Sequence, residues 1–132
     1  MGPYGTLASC IRNRNFASLR PFLDSDCILT STRVLTDLSG ATNIMRYLTA
    51  KAQKQRKVGF FPNTRMGFLL SYKPGAPCIA IYQGKPDPDV IVLLETKKHL
   101  ILKMGFYSPG LFEYSFDPDV VDEHLKKISN IP

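Results

Sequence analysis

The chain has 132 residues, 44% of them hydrophobic and 21% charged, with a formal net charge of +6. That size and balance describe one ordinary globular domain over 1–132 with a core of its own, and exclude a disordered chain. No window holds the roughly 18 consecutive apolar residues of a membrane helix, so no membrane span is expected.

At the N-terminus, Met1-Gly2-Pro3-Tyr4-Gly5-Thr6 fits the loose template for N-myristoylation. Pro3 removes a backbone N–H and stiffens the chain beside the acceptor glycine, so the fit is read as coincidence. A charged start followed by an apolar stretch is missing, and no secretory leader is expected. Leu7, Cys10 and Ile11 then recur at helical spacing, and Phe16, Leu19, Phe22 and Leu23 continue the stripe after Arg12-Asn13-Arg14-Asn15. Pro21 forces the second helix to be short or kinked. Asp24-Ser25-Asp26 is expected to end it, with Cys27–Thr30 a brief strand.

The third helix is marked by Ser39 as an N-cap and by an apolar face of Ile44, Leu48 and Ala52, flanked by Ala41 and Met45. Lys51, Lys54, Arg56 and Lys57 fall at its C-terminal end, where positive charge complements the helix dipole. Strands are expected from Met66 to Tyr72, Cys78 to Gln83, Val90 to Thr96 and His99 to Tyr107. Turns fall at Lys73–Pro77 and Lys97-Lys98. The two prolines in Gly84–Asp89 cannot donate to a ladder, so that stretch is either a loop between strands or a bulge within one. The dense β-branched run from Val90 predicts burial on both faces. Asp117 and Pro118 open a last helix, with Val121, Leu125 and Ile128 on one face. Helices first and strands after favour α+β over a parallel βαβ sheet.

Three scattered cysteines, Cys10, Cys27 and Cys78, make no disulfide framework and imply a reducing, cytoplasmic setting. Basic residues are spread along the chain, and no nucleic-acid motif accompanies them, so nucleic acid is not an expected partner. Neither the cysteines nor His99 and His124 have metal-ligand spacing, and no metal or cofactor is expected. Both histidines are read as solvated surface residues.

The run Phe22–Leu29 with its acidic pair, followed by Ser39-Gly40 and a helix through Tyr47-Leu48, resembles the NTF2-like (SnoaL-like) superfamily. Gly75-Ala76-Pro77-Cys78 before an apolar strand looks like that superfamily's central hairpin. Glu95–Ile101 through Tyr107 looks like its final hairpin, although Lys98-His99-Leu100 stands where Gly-Lys-Ile is usual. The resemblance implies a cone: three N-terminal helices packed on a curved antiparallel sheet, here with a short C-terminal helix that caps the pocket or packs outside it. It also implies a mostly apolar pocket at the cone's mouth, a small apolar ligand as partner, and a homodimer through the outer sheet face. Tyr47, Ile91, Met104 and Phe106 match pocket positions.

Matched to the ketosteroid isomerase type, the base position falls at Ser31, the tyrosine position at Leu7 and the second aspartate at Ile91. Leu7 and Ile91 have no hydrogen to donate and a serine such as Ser31 is no base by itself, so on this matching that mechanism is missing. Ser31 and Leu7 remain candidate pocket residues. Glu95 is the weak catalytic candidate: its parity matches Ile91 and Leu93, read as facing the pocket, and burial there would raise its pKa. The plainer reading of Glu95 is an exposed pair with Lys97 or Lys98. Three functions stay open: a non-catalytic ligand-binding or accessory domain, a lyase or isomerase with a different residue set, and a protein-interaction module.

Overall fold

A computed structural model describes residues 2–32 and 36–130. Helix α1 (Pro3–Asn13) starts with Pro3 in its first turn, where a missing N–H is no loss, and ends as Arg14 turns left-handed (φ 53°). The expected second helix is a 3-10 helix, Ala17–Phe22, with Pro21 inside it. Asp24-Ser25-Asp26 does not end that helix. It lies within β1 (Leu23–Ser31), where the pairing register shifts between Leu23 and Ile28 and accommodates the polar residues. A two-residue strand β2 (Leu38–Ser39) pairs with β1 and leads into α2 (Ala41–Lys57). Ser39 is therefore strand rather than cap. Gly40 occupies the cap position at φ 91°, a conformation that favours glycine, and no side chain caps the helix.

The second half forms β3 (Asn63–Leu69), β4 (Pro77–Tyr82), β5 (Val90–Lys97), β6 (Leu100–Tyr107) and β7 (Tyr114–Ser115), then α3 (Pro118–Ser129). One seven-stranded sheet runs in the order β2-β1-β6-β5-β4-β3-β7. Its pairs are antiparallel except β1–β6, which is parallel. No short hairpin joins β1 to β6, so nothing local imposes the antiparallel arrangement there. Gly84–Asp89 is a loop between β4 and β5, closed by Asp89 N–H donating to the Ile81 carbonyl at 2.8 Å. The turn between β5 and β6 is Lys98-His99, both at positive φ, as a two-residue hairpin requires.

The sheet is covered on both faces. On the inner face, Leu7, Ile11, Leu19, Ile44 and Leu48 pack against strand residues including Leu29, Val92 and Met104. On the outer face, Leu69, Cys78, Ala80 and Ile91 are buried under Phe112, Tyr114 and Phe116. These three aromatics alternate along the chain, as the period of an extended strand demands. The segment that carries them leaves β6 and crosses the sheet to reach the edge of β3. Phe116 lies so close to Gly67 that a Cβ there would sit 2.8 Å from its ring, and the Tyr107 ring covers Gly105 in the same way.

Helix α3 packs outside this layer. Asp117 Oδ1 accepts from the Asp119 N–H at 2.9 Å, capping the helix as expected. Of the predicted face only Val121 is fully buried, while Leu125 and Ile128 are exposed. His124 is half-buried and not simply solvated: its Nε2 lies 2.7 Å from the Leu70 carbonyl oxygen. No helix among the described residues is long and apolar enough to cross a membrane.

Candidate functional site

An inner cavity opens where β1, β4 and β6 end and β5 begins, beneath α2. On α2, Tyr47, Lys51 and Gln55 recur every fourth residue and so share one stripe, with Leu48 beside them. The apolar wall is completed by Ile11, Phe16, Leu29, Ile81, Val90 and Phe106. Ser31, Thr32, Gln83, Asp89 and Ser108 bring polar atoms to the same space. Its volume is about 60 Å³. One water needs at least about 10–15 Å³ by this measure, so there is room for a few waters or a compact ligand.

The residues singled out from sequence separate into three groups. Tyr47, Phe106 and Ser31 line the cavity together. Leu7 and Met104 lie on the same side of the sheet but are sealed in the packed core, with no exposure. Ile91 and Glu95 stand on the other face. Val90, Val92 and Leu94 belong to the inner cluster, whereas Ile91 and Leu93 belong to the outer one, so the strand's parity is opposite to the sequence reading. Glu95 is accordingly exposed, opposite Lys103 on β6 and away from the cavity.

Asp89 is the residue that sequence reasoning missed. It lines the cavity, and its Oδ2 is buried with no hydrogen-bond partner. Flanked by Pro88 and lying just outside the strand, it has no periodicity that would have pointed to it. Lys51 and Gln55, by contrast, were recoverable from their spacing to Tyr47. Among the described residues, no group of three or more His, Cys, Asp or Glu side chains could hold a metal ion.

A second polar feature supports the core beside the cavity. The pairing of β4 with β5 runs from Ile81–Val90 to Ile79–Val92, so Leu94 lies beyond it. The Tyr4 hydroxyl meets Leu94 there, accepting from its N–H at 3.0 Å and donating to its carbonyl at 3.2 Å. Burial raises the Tyr4 pKa, partly opposed by that bond to Leu94. Burial likewise pushes the Cys27 thiol from 9.0 up to about 11, helped by the nearby Asp24 carboxylate. Burial pushes Cys78 to about 11 as well, against a bond from the Gly67 backbone.

No protein-family model matches the sequence. No curated protein matches it either. Solved structures do match in fold. An NTF2-like protein of unknown function from Mesorhizobium loti superposes with a TM-score of 0.59 at 14% identity, over 79% of this chain and 85% of that one. A protein provisionally assigned as a ketosteroid isomerase, from Kribbella flavida, gives 0.51 at 13% identity, over 86% and 77%. One provisionally assigned as a polyketide cyclase, from Sinorhizobium meliloti, gives 0.53 at 10% identity, over 76% and 89%. The chain therefore has the NTF2-like α+β cone fold, and at these identities the likeness speaks for fold alone.

The raised thiols make stability depend on pH. The folded protein keeps protons that the unfolded chain releases, so their contribution is full below about pH 9 and declines as pH rises through about 11. The melting temperature should fall across that window. The fall should be shallower in a Cys27→Ala/Cys78→Ala double variant, and an unchanged slope in scanning calorimetry would contradict the assignment.

Proposed function

We propose that the protein is a small-molecule-binding or accessory domain that holds a compact, mostly apolar ligand in the inner cavity. The observation that carries this reading is the cavity's make-up. An apolar wall formed by two helices and four strands converges on a few polar groups, the usual design of a ligand site. Tyr47 and Phe106 supply apolar contact, and Ser31 borders the same space. Leu7 and Met104 back that wall from within the core rather than touching the ligand, and Ile91 backs the sheet from its far side. The alternative reading, a lyase or isomerase with its own residue set, rests on Asp89 rather than on Glu95, because only Asp89 reaches the cavity. A third reading, a protein-interaction module, would place a partner segment in the mouth or on the outer sheet face.

A diverse set of small apolar compounds should contain some that raise the melting temperature by about 10 °C, which is what binding at 100 times Kd does for a domain of this size. Tyr47→Trp, which fills the cavity, should abolish those shifts while leaving the protein folded. Shifts that persist in the variant would locate binding elsewhere.

A homodimer through the sheet would use the outer side of β1 and the start of β6, where Ile28, Leu100 and Leu102 are exposed. The aromatic segment already occupies the outer side of β3 to β5. Sedimentation equilibrium should show a dimer that Ile28→Lys weakens, and a wild-type monomer at all concentrations would remove this part of the reading.

A further inference from the structure

We infer that Asp89 makes the inner cavity selective for a small organic ammonium, a protonated primary or secondary amine on a compact apolar body. The inference rests on reading the cavity as a ligand site and adds the ligand's charge to it.

Asp89 is held in place by its own backbone, whose N–H is bonded to Ile81 just before β5 begins. Its main chain is therefore held at the cavity wall, while the carboxylate itself is not tied down. Oδ2 is cut off from water and meets no donor. A buried carboxylate oxygen without a donor is costly, and native structures seldom leave one so. Ser31, Thr32, Tyr47, Gln83 and Ser108 share the lining and carry side-chain donors, but among the described residues none of them bonds to Oδ2. The last torsion of an aspartate is soft, so either oxygen can turn to a donor entering the cavity without moving the backbone. The missing partner is then the ligand's own N–H.

Charge follows from the rest of the wall. Phe16, Tyr47 and Phe106 put three aromatic rings around the same space. Ring faces attract a cation, and desolvation strengthens that attraction. A neutral alcohol would satisfy Asp89 but gain nothing from the rings. An ammonium gains from both, because it adds the attraction of opposite charges to a hydrogen bond that an alcohol could also make to the carboxylate. A carboxylate ligand would bring a second negative charge beside Asp89. Lys51 also borders the cavity, but as an exposed side chain of α2 that already has an interaction partner. The cavity's size limits the apolar body to a few carbon atoms.

Three probes of matched shape separate these terms: isopentylammonium, isopentanol and isovalerate, each titrated into the full chain and followed by two-dimensional NMR. The ammonium should bind about tenfold tighter than the alcohol, with isovalerate weakest. Asp89→Asn keeps the side chain's shape and should cost the ammonium about tenfold and the alcohol clearly less. Tyr47→Leu should weaken the ammonium more than the alcohol by removing a ring face. Equal binding of ammonium and alcohol, or ammonium binding untouched by Asp89→Asn, overturns the inference while leaving a ligand cavity in place. If none of the three probes perturbs cavity residues, the inference and the ligand-site reading fall together.

Discussion

Every position from Val90 to Leu94 is apolar, and a strand of that kind has no face to show to water. Two separate layers have to cover it. The helices cover Val92, and the aromatic segment Phe112–Phe116 covers Ile91 by crossing the outer face to the far edge of β3. The chain thus supplies its own layer over much of the second apolar face of β3 to β5. Close packing there is achieved by setting rings against glycines, Phe116 over Gly67 and Tyr107 over Gly105. Either glycine replaced by a larger residue would overpack the layer.

With much of the outer face covered, the inner end of the sheet is a place where the packing is incomplete. The helices meet the strands tightly around Leu7, Ile44 and Met104, which are fully buried. Toward the strand ends the same layers part, and side chains with polar tips replace the aliphatic ones. The chemistry of that gap is set by what happens to be nearest. It has aromatic rings from the α1 end, α2 and β6, and one aspartate from the loop that feeds β5. The other strongly acidic candidate, Glu95, is separated from it by the sheet itself.

The order of helices and strands was legible because hydrophobic period and turn residues act locally. Ile44, Leu48 and Ala52 marked α2, Asp117-Pro118 marked α3, and the prolines marked the ends of β4. What failed was the choice between faces. A strand apolar at every position carries no alternation, so Val90–Leu94 gave no sign that Val92 rather than Ile91 faces the helices. That single ambiguity misplaced Ile91 and Glu95 together. Phe112, Tyr114 and Phe116 did alternate, but too briefly and beside too many turn residues to announce a covering layer. Asp89 was invisible because its importance lies in a missing partner, which only three-dimensional packing can reveal. Tyr47, Phe106 and Ser31 were named through resemblance rather than periodicity, and all three line the cavity.

The most direct test of this account is a crystal structure of the protein purified gently from its native source, inspected between Tyr47, Phe106 and Asp89. The account predicts a compact bound molecule there, its apolar part against the two rings and a donor within hydrogen-bond distance of the Asp89 carboxylate. A cavity closed by its own side chains, with Tyr47 or Phe106 turned inward and Asp89 bonded to another protein group, would contradict it.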